Sequence, residues 1–313
     1  MIVFGPIPSR RLGRSLGINN IPPKVCSYSC IYCQVGRTDS MSVKRAGFFS
    51  PEQIYKEVAE KIEQMQKKDE EIDYITFVPD GEPTLDINLG NTIERLKGFG
   101  FKIAVVTNSS LLWMTSVKND LINADLVSLK IDSVFRDIWK KINRPHGELE
   151  MKVMIEGIQD FARIYENTLI TETMLVDGVN DSVESLYKTA ELINSIGPEK
   201  AYLLVPTRPP AEAAVKAPDE RATGRAYQIF GSIIGSVEIL DYSEGTDFKF
   251  FSEAEEELLS IISVHPMRKD AVENFLSKSG SSWELIESLI NKNILRTEEY
   301  SGNIFLKKSL VSK

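Results

Sequence analysis

Cys26-Ser27-Tyr28-Ser29-Cys30-Ile31-Tyr32-Cys33 carries all three cysteines of a 313-residue chain. Their number and their crowding within eight positions exclude a disulfide framework. Thiolates this close can converge on one centre without help from distant parts of the fold. Three readings compete. As small buried hydrophobes the cysteines need no metal. Structural zinc accepts three Cys and one His, but the two histidines, His146 and His265, lie far along the chain and neither belongs to a second ligand pair. A cubane iron–sulfur cluster on three cysteines leaves its fourth iron open to a small molecule. The missing fourth ligand is a defect in a structural site and a requirement in a reactive one.

Charge concentrates around this loop. Residues 1–50 hold Arg10, Arg11, Arg14, Lys24, Arg37, Lys44 and Arg45 against Asp39 alone, a formal +6, while the whole chain carries −8. A basic start on an acidic protein suggests a local anion site rather than a general nucleic-acid surface. A solvated basic loop is the plain alternative. The chain is 42% hydrophobic and 26% charged, the balance of a soluble globular protein. Its length suits two domains, or one large α/β domain with an appendage. No apolar run approaches the ~20 residues of a membrane span, and Met1–Pro8 lacks a signal pattern, so a cytoplasmic protein with no membrane segment is expected.

Beyond the loop, strands and helices alternate from about Gly17 to Tyr242. Apolar runs at Tyr74–Val78, Ile103–Thr107, Leu126–Ile131, Leu169–Leu175 and Ala201–Val205 read as buried parallel strands. Ser50-Pro51-Glu52-Gln53 opens a helix to about Lys68 with a capping serine, a first-turn proline and glutamine at N3. Further helices fit Asn88–Phe99, Glu150–Tyr165, Ser182–Ile196 and Asp219–Gly235. This order predicts an α/β fold whose chemistry sits on loops after the C-terminal strand ends. From about Ser252 the pattern changes. Helices at Glu253–Ser263, Met267–Ser277 and Ser281 to about Asn293 precede a hairpin of Ile294–Glu298 and Ile304–Lys307, the order of a winged helix. Residues 252–313 hold eight basic and ten acidic residues. Without a basic stripe, a packing or protein-contact role is as good a reading as nucleic-acid binding.

The cysteine loop resembles the CxxxCxΦC loop of the radical SAM enzymes, with Tyr32 as the aromatic residue. Gly81-Glu82-Pro83-Thr84 is similar to that family's GEP motif, and Thr107-Asn108-Ser109 and Ser128-Leu129-Lys130-Ile131-Asp132 follow in the family's order. The resemblance covers roughly residues 5–245. It implies a partial (β/α)6 barrel over residues 1–248, with the winged-helix-like unit at 252–313. Gly5-Pro6-Ile7-Pro8-Ser9-Arg10-Arg11-Leu12-Gly13, Leu16-Gly17-Ile18 and Val205-Pro206-Thr207-Arg208-Pro209-Pro210 resemble a narrower group of Fe–S oxidoreductases related to wyosine-synthesis enzymes. Two departures stand out. Val78-Pro79-Asp80 replaces the smaller residues common before the GEP element. Three cysteines also allow no all-cysteine second cluster, which counts against the wyosine enzyme itself.

The resemblance implies a [4Fe-4S] cluster on Cys26, Cys30 and Cys33, S-adenosyl-L-methionine on its open iron, and an electron donor such as flavodoxin or ferredoxin. Glu82 and the Gly81 backbone, in the turn closed by Pro83, would receive the methionine ammonium. A strand-end carboxylate is a suitable partner for it. Thr107, Asn108 and Ser109 offer groups for ribose or carboxylate, or helix caps. Lys130 and Asp132 share a strand face, so they either satisfy each other or touch cofactor. Tyr32 and Val205 would flank the adenine. Arg10, Arg11, Arg144 and Arg208 are substrate candidates, Arg208 at the mouth of the site, where its rigid fork suits carboxylate or phosphate. The expected function is therefore a radical enzyme acting on an anionic substrate. A tRNA-modifying radical enzyme and a metal-switched regulator that reads DNA are the alternatives.

Overall fold

The apolar runs pair side by side in chain order, as strands connected through helices must. The computed structural model describes residues 2–241, 246, 248 and 253–309. It opens with an antiparallel hairpin of β1 (Val3–Ser9) and β2 (Gly13–Ile18). Two short paired strands, β3 (Val25–Cys26) and β4 (Ser40–Met41), close the base of the cysteine loop. Helix α1 (Pro51–Gln66) starts as expected, with Gln53 N–H donating to Ser50 Oγ at 3.1 Å. Then follow β5 (Tyr74–Phe77), α2 (Leu89–Leu96), β6 (Lys102–Thr107), α3 (Thr115–Leu121) and β7 (Leu126–Lys130). After these come α4 (Arg136–Asn143), α5 (Met151–Ile164), β8 (Thr168–Met174), α6 (Val183–Ile196), β9 (Lys200–Leu204), α7 (Glu220–Ile233) and β10 (Val237–Leu240).

The sheet order is β1-β2-β5-β6-β7-β8-β9-β10, parallel throughout except for the edge strand β1. From β2 to α7 the chain repeats strand then helix, which makes a partial (β/α)6 barrel, with β10 added at the far edge. The first hairpin bridges the opening. Its turn sends Arg10 Nη1 to the Leu240 carbonyl at 3.1 Å, and Leu12 packs among Ala104, Leu126, Ile170, Tyr202 and Leu240. Helices cover the outer face by periodicity. In α5, Met151, Met154, Ile158 and Phe161 are buried on one stripe.

The five expected strands form within a residue of their expected ends. Other elements differ. The β1–β2 hairpin lies in a stretch whose glycines, prolines and arginines suggest loop, because an edge strand tolerates proline. Helices α3 and α4 and strand β10 are additional. The helix expected at Asn88–Phe99 ends its α-helical part at Leu96 and continues as a 3-10 turn over Lys97–Phe99.

The C-terminal segment forms α8 (Ala254–Val264), β11 (Met267–Arg268), α9 (Lys269–Ser279), α10 (Glu284–Asn291), β12 (Leu295–Tyr300) and β13 (Asn303–Lys308). Met267 therefore begins a short strand that joins the hairpin in a three-stranded antiparallel sheet, rather than a helix. The boundary expected between 248 and 252 lies largely outside the described residues. The apolar cluster of this segment includes Phe4 and Ile7 of β1. A buried ion pair adds a second tie, with Lys61 Nζ of α1 at 2.5 and 2.7 Å from the two carboxylate oxygens of Glu257 in α8. Burial pushes the Lys61 ammonium below its ordinary range against the pull of Glu257.

Removing one member of such a pair leaves a buried charge uncompensated, so Glu257→Ala is expected to cost about 3–5 kcal/mol. The double variant Lys61→Met/Glu257→Leu is expected to recover most of that loss. Urea denaturation midpoints measure both. A double variant as unstable as the single one would show that packing, not the stranded charge, carries the effect.

Candidate functional site

The cysteine loop is stitched to the turn after β5. Lys24 N–H donates to the Asp80 carbonyl at 2.6 Å, and Glu82 N–H donates to the Val25 carbonyl at 3.2 Å. Gly81 holds φ at 156°, and a Cβ there would sit 2.0 Å from the Val25 carbonyl oxygen. The glycine is required by this close approach. On the other side the loop runs along the end of α4, where Ile31 N–H donates to the Ile142 carbonyl at 2.9 Å.

Cys26, Cys30 and Cys33 all line one cavity of about 340 Å³. Burial pushes all three thiols up, Cys30 to about 12, with Glu82 adding to the effect at Cys26 and Asp132 at Cys30. Each sulfur nevertheless faces an N–H donor. Tyr28 N–H and Asn108 Nδ2 reach Cys26 Sγ at 3.5 Å, Asn143 Nδ2 reaches Cys30 Sγ at 3.5 Å, and the Val35 backbone N–H bonds Cys33. Buried thiols surrounded by donors fit a cationic metal centre, which replaces the proton and leaves a thiolate for the donors to stabilise. Among the described residues no three His, Cys, Asp or Glu side chains are gathered tightly enough for a single ion.

Glu82 stands in the same wall and is 1% exposed. Its Oε1 accepts from Thr84 N–H at 3.1 Å, Thr84 Oγ1 at 2.6 Å and Thr107 Oγ1 at 2.6 Å, and its Oε2 accepts from Asn108 N–H at 2.7 Å. Burial raises its pKa and these four donors oppose the rise. The outcome is a carboxylate fixed in place and held ready for a cationic partner. Thr107 and Asn108 line the cavity beside it. Ser109 does not: it is buried with φ at 67°, and its N–H donates back to Thr107 Oγ1 at 3.1 Å. Pro83 is likewise buried behind the wall, starting a 3-10 turn over Pro83–Leu85.

Lys130 and Asp132 do not satisfy each other. Lys130 lines the cavity, with its Nζ 3.9 Å from Glu172 and 5.0 Å from the centre of the Tyr32 ring. Asp132 lies behind Tyr32, accepting from its hydroxyl, from Asn143 Nδ2 at 2.7 Å and from Met174 N–H at 2.8 Å. It positions the ring rather than meeting the cavity. Glu172 on β8 was not singled out from the sequence, yet it lines the floor and bonds Arg11 at 3.2 Å and Ser128 Oγ at 2.6 Å. Burial pushes its carboxyl up, but Arg11, Lys130 and Ser128 outweigh this and hold it below the ordinary range. A glutamate inside the expected buried strand Leu169–Leu175 was the available signal.

Arg10, Arg11 and Arg208 line the cavity, as do Lys24, Arg37 and Val205. Arg144 does not. It caps α4 with φ at 46° and pairs at the surface with Glu212, which also holds Arg37 at 2.9 Å. Arg208 donates to Gln34 Oε1 at 2.8 Å and lies 3.1 Å from His265 Nε2, while Gln34 Nε2 donates to the Val264 carbonyl at 3.0 Å. Val264 and His265 of the C-terminal segment thus form part of the rim.

A partial parallel barrel with a three-cysteine loop at its strand ends, and a fixed carboxylate one strand away, defines the class that cleaves a sulfonium cofactor at an iron–sulfur centre. Residues 20–192 match the family model of the Radical SAM superfamily. The chain belongs to this superfamily, whose members use S-adenosylmethionine and an iron–sulfur cluster and are generally enzymes. It is 47% identical to a UPF0026 protein of Methanocaldococcus jannaschii over 100% of this chain and 97% of that one. It is 32% identical to a protein named GTPase Obg in Brachyspira hyodysenteriae, covering 96% of this chain but only 44% of that relative. The structure of a radical SAM methyltransferase from Sphaerobacter thermophilus shares the fold at a TM-score of 0.58 and 16% identity, over 74% of this chain and 67% of that one. Among the described residues no helix is long and apolar enough to cross a membrane.

Gly81→Ala is expected to lower stability by more than about 1–3 kcal/mol, because the new methyl meets the rigid Val25 carbonyl. Gly98→Ala, with nothing within 4 Å of the added Cβ, serves as the control and should change stability by less than about 0.5 kcal/mol. Thermal melts compare the two. Equal melting points would mean that the loop yields freely at Gly81.

Proposed function

We propose that this protein cleaves S-adenosylmethionine reductively at a [4Fe-4S] cluster held by Cys26, Cys30 and Cys33, and directs the resulting 5′-deoxyadenosyl radical to hydrogen abstraction from an anionic substrate. The observation that carries the reading is the placement of all three thiols and the Glu82 carboxylate in one cavity at the strand ends of a radical SAM barrel. The bound cluster and cofactor supply the one-electron chemistry, with the electron coming from a donor protein such as a flavodoxin or ferredoxin.

The chain's own groups do the rest. Glu82, oriented by Thr84, Thr107 and Asn108, receives the methionine ammonium together with the Gly81 backbone. Lys130, beside Tyr32 and Glu172, offers a cation to the cofactor carboxylate or to the substrate. Tyr32 and Val205 give apolar surface to the adenine. Arg10, Arg11, Lys24, Arg37 and Arg208 give the cavity six cations with Lys130, against the carboxylates of Asp80, Glu82 and Glu172. That excess favours a negatively charged substrate.

Residues 1–248 and 252–313 serve as catalytic and closing units in this reading, and the second has the helix and hairpin order of a winged helix. Tyr300 hydroxyl donates to the Pro206 carbonyl at 3.2 Å and Lys307 Nζ to the Pro209 carbonyl at 3.3 Å. These contacts run inward to the rim. They support closure of the site over an outward DNA- or tRNA-reading role.

Anaerobic reconstitution with iron and sulfide, followed by reductant and S-adenosylmethionine, is expected to yield 5′-deoxyadenosine, and Cys30→Ala should reduce it to background. Glu82→Gln is expected to weaken cofactor binding about 10- to 150-fold, the value of one charge-assisted bond of roughly 1.5–3 kcal/mol. A fully loaded wild-type protein that releases no 5′-deoxyadenosine would sink the catalytic reading.

A further inference from the structure

Two side-chain amides approach the cysteine sulfurs from opposite sides. Asn108 follows β6, and its Nδ2 lies 3.5 Å from Cys26 Sγ and 2.9 Å from Ser27 Oγ. Asn143 ends α4 and is 2% exposed, and its Nδ2 lies 3.5 Å from Cys30 Sγ, 3.3 Å from the Tyr32 hydroxyl and 2.7 Å from Asp132 Oδ2.

Neither amide can turn its oxygen to the sulfur without loss. Asn108 Oδ1 accepts from Ser110 N–H at 3.0 Å. Asn143 faces the Asp132 carboxylate, which only accepts when ionised. Both amides are therefore held with N–H toward sulfur. Asn108 has two hydrogens for two acceptors. Asn143 gives one hydrogen to Asp132 and divides the other between the Tyr32 oxygen and Cys30, so a sulfur that has become an anionic ligand draws that hydrogen toward itself.

Building on the cluster reading above, we propose that Asn108 and Asn143 are positioning residues that set the reduction potential of the iron–sulfur cluster through N–H···S bonds to Cys26 and Cys30. A reduced cluster carries one more negative charge than an oxidised one. Donors to its thiolates stabilise the reduced form and raise the potential. Asn143 has a further consequence. Through Asp132 it is joined to Tyr32 and to the Met174 backbone, both parts of the cavity wall. The Cys30 sulfur and the substrate-facing surface thus share one hydrogen-bond network.

The test uses anaerobically loaded full-length protein without S-adenosylmethionine. Iron per chain is counted and the midpoint potential is read by redox titration followed by electron paramagnetic resonance. Asn108→Ala and Asn143→Ala are each expected to hold wild-type iron and to shift the midpoint to more negative potential. Asn108→Asp, which keeps the acceptor for Ser110 and turns an oxygen toward Cys26, should shift it further. Should Asn143→Ala fail to fold, because Asp132 and Tyr32 lose a partner, the two Asn108 variants decide the matter. Unchanged potentials at full iron content would overturn the proposal. A wild-type protein that takes up no iron would overturn the cluster reading itself, an outcome visible before any variant is made.

Discussion

The site depends on one carbonyl. The Val25 oxygen accepts the Glu82 N–H and faces the vacant side of Gly81, so the cysteine loop and the carboxylate turn meet backbone to backbone. Any side chain at position 81 would hold them apart. From this contact the loop departs toward Cys30 and Cys33 while the turn delivers Glu82 to Thr107 and Asn108 of the next strand. Three consecutive strand ends are thereby locked to one another by hydrogen bonds of 2.6–3.2 Å. Asn108 repeats the lock on its side-chain end, since its backbone N–H holds Glu82 while its amide holds Cys26 and Ser27. One residue thereby fixes the spacing between Cys26 and the Glu82 carboxylate.

Electrostatics follows from that geometry. Carboxylates beside buried thiols raise the thiol pKa, which a site built for free thiolates would avoid. The arrangement is coherent once the thiols ligate metal, since metal then takes the place of the thiol protons and the N–H donors stabilise the sulfurs. On the floor Glu172 is set between two cations, Arg11 and Lys130. The basic residues of the first fifty positions divide accordingly. Arg10, Arg11, Lys24 and Arg37 reach the cavity, whereas Arg14 pairs with Glu71 and Asp73, and Arg45 binds Asp120 and the carbonyls of Thr84 and Asp86 beneath the carboxylate turn. Arg14 and Arg45 thus act as loop ties, while Arg10, Arg11 and Arg37 line the cavity and also bond the Leu240 carbonyl, Glu172 and Glu212 respectively.

How much of this was legible in the sequence depends on the range of the interaction. Strands β5 to β9 were readable because buried parallel strands are continuous apolar runs. The cysteine loop was readable because three ligands fall within eight residues. Glu82 and Lys130 were found by their order behind that loop. What escaped was set by tertiary position. The β1–β2 hairpin is extended because it pairs with β5 and carries Phe4 against Gly17, whose added Cβ would fall 2.2 Å from that ring. Asp132 and Arg144 carry the right chemistry, but they lie behind Tyr32 and on Glu212 respectively, and no spacing rule separates a residue lining a wall from one supporting it. Asn143 carried no sequence signal at all. It reaches Cys30 across 113 positions.

The C-terminal segment shows why the barrel alone does not complete the site. Its Val264 and His265 line the same cavity as the three cysteines. Water at a reduced centre permits side reactions and weakens every charge in the cavity. The chain answers with contacts that converge on the rim: Gln34, one residue beyond Cys33, holds Val264, and Arg208, beyond β9, holds Gln34 and lies against His265. The buried Lys61–Glu257 pair and the shared core at Phe4 and Ile7 then anchor the segment at a distance from those polar ties. A buried ion pair on α1 and polar contacts at the mouth thus hold the segment at two separate places. Arg208 joins both functions, for the guanidinium that ties the rim also presents charge to the cavity.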